Sequence, residues 1–176
     1  MTQRISASEI PVGSEIARYV PGAHLHDCYD LPVESAAPSA LQTYLGVVAR
    51  TPTWVNRLMV IRNRAVALVG LKNLGQLGEV DPNKLASAYR VGDRVGIFSV
   101  LYLTDEEVIL GDSDRHLTVK LSVYKRPGGD RRSVAVSTVV HVKNALGHFY
   151  MFFVTPMHKL ILPAMLARAL PATRDG

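Results

Sequence analysis

The sequence predicts an α+β domain in which a curved antiparallel sheet of about six to seven strands wraps around a long C-terminal helix, with two helices after the first strand. Three observations carry that expectation. Residues 115–125 are the cleanest strand, with Leu117, Val119, Leu121 and Val123 on one face and Thr118, Lys120, Ser122 and Tyr124 on the other, as a strand with one buried face requires. After Thr51-Pro52, the residues Val55, Leu58, Met59, Ala65, Val66 and Val69 keep three- and four-residue spacing, the period of an amphipathic helix. After Thr155-Pro156, the residues Met157, Leu160, Ile161, Ala164, Met165 and Leu166 are apolar on more than one stripe, which marks a helix buried along most of its girth.

The elements follow in order. Residues 1–23 show no sustained period and read as an irregular arm, residues 24–170 as the domain and residues 171–176 as a tail, so the whole chain is one unit. A first strand is expected over 24–33, with Pro32 placing it at an edge or a strand end. A helix over 38–50 starts on Pro38, and Thr51 can cap the next with Pro52 in its first turn and Gly70 as its stop. Gly75, Gly78 and Asp81-Pro82-Asn83 mark a loop with a short helical turn near its end. Strands are then expected over 94–103, 107–111, 115–125, 133–142 and 149–154. Asp105-Glu106, Pro127-Gly128-Gly129-Asp130 and Asn144-Ala145-Leu146-Gly147 supply the turns. Gly96 is where a bulge could bend the sheet, and Pro163 should kink the closing helix.

The 176 residues carry 20 Lys and Arg against 15 Asp and Glu, a formal charge of +5 with the six histidines neutral. At 48% hydrophobic the chain can bury enough surface to order itself, which excludes a disordered tail or a fibrous repeat. The lone Cys28 excludes an internal disulfide and a Cys-based zinc cage and fits a reducing compartment. The first ten residues hold no apolar secretory core, and a cytoplasmic chain is expected. Residues 144–158 lack Asp, Glu, Lys and Arg but fall short of the roughly 20 residues that span a bilayer, so no membrane partner is expected. Basic residues are scattered and not interleaved with aromatics, so no nucleic acid is expected either.

The element order resembles the START-like (SRPBCC) superfamily, whose helix-grip fold wraps a curved sheet around the last helix. A narrower resemblance rests on Thr51-Pro52-Thr53-Trp54-Val55, Arg62-Asn63-Arg64, Gly70-Leu71-Lys72, Asp114-Arg115-His116-Leu117, Asn144-Ala145-Leu146-Gly147-His148-Phe149-Tyr150 and Pro156-Met157-His158-Lys159. Together these look like the DUF2867 family, of unknown function, whose domain also occurs behind a nucleotide-binding, short-chain-dehydrogenase-like domain. That fusion implies a nucleotide-binding redox protein as a possible partner, although no Gly-x-Gly-x-x-Gly turn is present in this chain. The strand after His116-Leu117 continues Thr118-Val119-Lys120, where the family pattern has an acidic residue and an aromatic.

Several residues invite chemistry, each with a plainer reading beside it. His24 and His26 have strand spacing for a metal, with Asp27 beside them, but they are equally a solvated edge, and no metal or other cofactor is expected. Asp114 can orient His116 as an acid–base pair or tie down a hairpin. His141 could face either side of its strand. His148 and Tyr150 share a strand phase with Phe152, and His158 falls in the first turn of the last helix; all three could reach a cavity, or be core residues bonded to backbone. Trp54 is a ligand platform or an anchor. Arg50, Arg57 and Arg64, spaced by seven, make one helical stripe that could grip phosphate or an acidic partner domain, or simply face solvent.

The function expected is binding of a small hydrophobic or amphipathic molecule in a cavity between sheet and C-terminal helix, with His148, Tyr150, His158, Trp54, His141, Asp114 and His116 as candidate contacts. Two alternatives belong to other classes: a cyclase-, dehydratase- or hydrolase-type enzyme using a cavity His or Asp, or a docking module for a redox protein.

Overall fold

The computed structural model describes residues 5–33, 39–67, 80–81, 83–127 and 133–170. Within them lie one seven-stranded antiparallel sheet and three α-helices: β1 (Ser6–Ala7), β2 (Leu25–Pro32), α1 (Ala40–Ala49), α2 (Thr53–Ala67), β3 (Arg94–Val95), β4 (Phe98–Leu103), β5 (Glu107–Ser113), β6 (Leu117–Lys125), β7 (Ser133–Val142) and α3 (Ala145–Ala169). The order across the sheet is β1-β2-β7-β6-β5-β4-β3, and it does not close. The α+β class is therefore as read from the sequence. Gly70, Gly75, Gly78 and the Gly128-Gly129-Asp130 turn lie outside the described residues.

Register sorts the side chains. Antiparallel partners share a face, so Leu31, Val134, Val136 and Val123 line one side of the sheet with Val108, Leu110 and Val100, all at most 3% exposed. α1 packs there against β5 and β6, burying Ala40, Leu41, Tyr44, Val47 and Val48. Ser39 starts α1 with a capping box: its hydroxyl accepts the Gln42 amide N–H, and the Gln42 side chain accepts the Ser39 N–H. The opposite side is covered by a 3-10 helix, Glu15–Tyr19, whose Ile16 packs on Ile109 and Val139.

Several expectations change. The strand expected over 94–103 is two strands: Val95 pairs with Phe98, and the chain reverses through Gly96, whose φ of 61° a side chain disfavours. The only register shift in β4 lies between Val100 and Tyr102. Thr51 does not cap α2; its hydroxyl donates to the Val48 carbonyl, closing α1, while the Pro52 carbonyl accepts the Val55 and Asn56 amides. The strand expected over 149–154 is helical, because α3 begins at Ala145, where the Asn144 side chain caps it by accepting the Gly147 N–H at 3.0 Å. The three arginines spaced by seven do not form one stripe, since Arg50 is the C-cap of α1 and only Arg57 and Arg64 share α2.

α3 therefore has 25 residues, with Pro156 and Pro163 inside it, and is long and apolar enough to cross a membrane by length and composition. It lies along β2 and α1, and only Gly147, Met151, Leu162, Met165 and Leu166 are buried. The helix over the middle of the sheet is α1, not α3.

Candidate functional site

Where α3 passes the ends of β2 and β7 it leaves an open groove of about 430 Å³. His24, Leu25 and Val142 form the sheet wall, and His148, Met151, Phe152, Thr155 and Pro156 form the helix wall. The spacing of the second set is helical, one side of two turns, which is why a strand reading did not assemble it. Two imidazoles meet here, their centroids 4.6 Å apart and their planes at 73°. The backbone N–H of Val142 donates to Nδ1 of His24 at 3.1 Å, so the neutral His24 ring carries its hydrogen on Nε2. The groove thus combines apolar side chains with two imidazoles.

A second polar cluster lies further along α3. His158 sits on the face of α3 turned toward β2, where Nε2 comes within 3.0 Å of Oδ2 and 3.3 Å of Oδ1 of Asp27. The nearer oxygen is out of line for a hydrogen bond, so Oδ1 is the acceptor when Nε2 carries the ring hydrogen. Thr138 is the cross-strand partner of Asp27, and its buried hydroxyl finds no hydrogen-bond partner among the described residues. Tyr29, two positions along on the same face, has its phenol pKa raised, first by burial and then by the Asp27 charge.

The remaining candidates lie outside the groove lining. Tyr150 accepts from Arg62 Nε at 3.0 Å, joining α2 to α3. Asp114 accepts the backbone N–H groups of His116 (2.7 Å) and Leu117 (2.9 Å), which is the hairpin tie. Burial works to raise the Asp114 pKa, but those two N–H groups outweigh it, with help from the His116 and Lys143 charges, and hold it below the usual carboxylate value. His116 is buried against Asn144, its Nδ1 within 3.1 Å of that side chain, and Arg115 Nε approaches its Nε2 at 3.0 Å. His141 lies on the opposite side of the sheet, 3.3 Å from the Pro21 carbonyl. Trp54 is 42% exposed on α2. Of the seven candidates, His148 alone lines the groove. The partners that sequence reasoning did not place beside it, Leu25, Val142, Met151 and Thr155, carry no polar motif to signal them. Among the described residues no group of three metal-ligating side chains converges.

The molecule is thus an open-sheet α+β protein with a groove between one end of the sheet and a C-terminal helix. The chain belongs to the family described as "Protein of unknown function (DUF2867)", whose model matches residues 19–165 and so takes in both walls of the groove and the Asp27–His158 pair. No curated protein and no solved structure matches the chain.

Proposed function

We propose that this protein binds a small apolar or amphipathic molecule in the groove between α3 and the ends of β2 and β7. The observation that carries the reading is the lining: Leu25, Val142, Met151, Phe152 and Pro156 around the paired imidazoles of His24 and His148. Such a site takes an apolar body and orients it through one or two directed contacts. A ligand with a carbonyl or carboxylate oxygen suits the Nε2–H of His24. The element order favours a helix-grip ancestry for this arrangement, with α3 seated at the rim of the sheet. An acid–base enzyme is the weaker reading, since the carboxylate-bound histidine, His158, is not part of the groove lining.

Native mass spectrometry of the full chain, freshly purified, tests the proposal, followed by denaturation and identification of what is released. A released apolar molecule that Met151→Trp, which fills the groove, no longer carries would support it. A clean protein mass, together with no thermal shift from a panel of fatty and aromatic carboxylic acids, would remove it.

A further inference from the structure

The face of α3 turned away from the sheet is apolar without being covered. Successive positions advance ~100° around a helix, which collects Phe149, Phe152, Phe153, Met157 and Leu160 on one side and His158, Leu162 and Met165 on the other. On the first side Phe152 is 75%, Phe149 62% and Leu160 62% exposed. Phe153 stacks edge-on against both Phe149 and Phe152, giving a continuous aromatic surface. Lys159 and Arg168, both exposed, fall at the borders of this side. α2 meets α3 through the Arg62–Tyr150 hydrogen bond, and its exposed positions include Trp54, Arg57, Ile61 and Arg64.

Charge says what such a surface meets. None of the 15 acidic residues of the chain lies in α1, α2 or α3. A second copy docking through the same patch would set one basic surface against another, with no acidic side chain on these helices to pair them. An anionic surface with an apolar interior complements both features at once: aromatic and aliphatic side chains enter the boundary while Lys and Arg meet the headgroups.

We propose that the outward faces of α2 and α3 dock this protein on the interface of a bilayer rich in anionic lipid. α3 lies in the plane of that interface instead of crossing it, because its inner face is committed to the sheet through the His158–Asp27 pair and the burial of Leu162 and Met165. This inference does not rest on the groove.

The test is co-sedimentation of the full chain with vesicles of phosphatidylcholine alone and with about one-third phosphatidylglycerol, read together with fluorescence. Trp54 is the sole tryptophan, so its emission reports on α2 alone. Expected are binding to the anionic vesicles, a blue shift of Trp54 with quenching by brominated acyl chains, and roughly tenfold weaker binding in their absence or in high salt. Phe149→Ser/Phe153→Ser and Arg57→Gln/Arg64→Gln should each weaken binding roughly tenfold while leaving the unfolding temperature in place. The first pair spares Phe152, so groove binding should persist. No sedimentation with anionic vesicles would overturn the proposal. So would binding indifferent to either double variant, an unshifted Trp54, or a wild-type dimer that Phe149→Ser/Phe153→Ser splits into monomers.

Discussion

His158 of α3 and Asp27 of β2 approach to 3.0 Å, Nε2 to Oδ2, with both side chains largely withdrawn from solvent, at 20% and 16% exposure. They stand 131 residues apart in sequence, and the contact sets how the C-terminal helix lies along the sheet. Replacing either partner by alanine leaves the other polar group without its partner, at about 1–3 kcal/mol. Asp27→Ala and His158→Ala should therefore be non-additive: the double variant should recover about 1 kcal/mol of the summed losses in urea unfolding. Additive losses would show that the two groups act independently.

Gly147, in the first turn of α3, sits against the turn that leads into β6 and the end of β7. A Cβ at this position would run into the carbonyl oxygen of His116 and the side chain of Val142. Alanine is the better helix former by about 1 kcal/mol, so an uncrowded position would gain from the change. Here the clash with backbone should win, and Gly147→Ala should lower stability by about 1–3 kcal/mol, measured by denaturant midpoint.

Tyr44 presents the opposite case. Its side chain is 4% exposed within the main core, its hydroxyl has no partner among the described residues, and burial pushes the phenol pKa far above its usual value. Tyr44→Phe removes a polar atom that folding strips of water without replacement. The variant should be as stable as the parent or up to about 1 kcal/mol more stable by urea unfolding. A clear loss of stability would mean that the hydroxyl is bonded.

The strands over residues 117–125 and 133–142 were readable because each keeps one mainly apolar face, Leu117 to Val123 in the first and, broken by Thr138, Val134 to Val142 in the second; β6 and β7 appear nearly where that period puts them. The run Phe149-Tyr150-Met151-Phe152-Phe153-Val154 was not, because its aromatics and valine favour a strand as composition. What overrides composition is the Asn144 cap and the burial of Gly147, Met151, Leu162 and Met165 along one side of a helix. The same period decides the site. As a strand the run would set His148 beside Tyr150; as a helix it sets His148 with Met151, Phe152 and Thr155 in the groove and sends Tyr150 to Arg62. The sheet wall of that groove is apolar strand ends, Leu25 and Val142, which local sequence cannot distinguish from ordinary core.

Acid should loosen the turn that leads into β6. The Asp114 carboxylate has its pKa depressed in the folded state, so its contribution is complete above the unfolded carboxylate range and is lost as pH falls through the folded value below it. Solvent reaches the site and screens the charge, which keeps the effect to about 1 kcal/mol or less. Asp114→Asn should accordingly trail the parent by that amount at neutral pH, with the gap closing in acid as the parent carboxylate protonates. A gap unchanged across the acid range would rule out the carboxylate charge as its source.

Glu107 anchors the other side of the sheet. Though 4% exposed, its carboxylate accepts the Glu15 N–H at 2.6 Å, the Ile16 N–H at 3.2 Å and the Ser122 hydroxyl at 2.6 Å. These bonds pin the 3-10 helix whose Ile16 seals the small cluster with Ile109 and Val139. Glu107→Gln keeps the shape but replaces one acceptor oxygen by an NH2 that faces donors, so one bond must be lost and a donor left unpaired, at about 1–3 kcal/mol. The damage should be local. Hydrogen exchange of the Glu15 and Ile16 amides should accelerate strongly, while the amides of β6 and β7 speed up only by the overall loss of stability. Equal acceleration everywhere would show that the segment unfolds only with the whole domain and that Glu107 does not hold it separately.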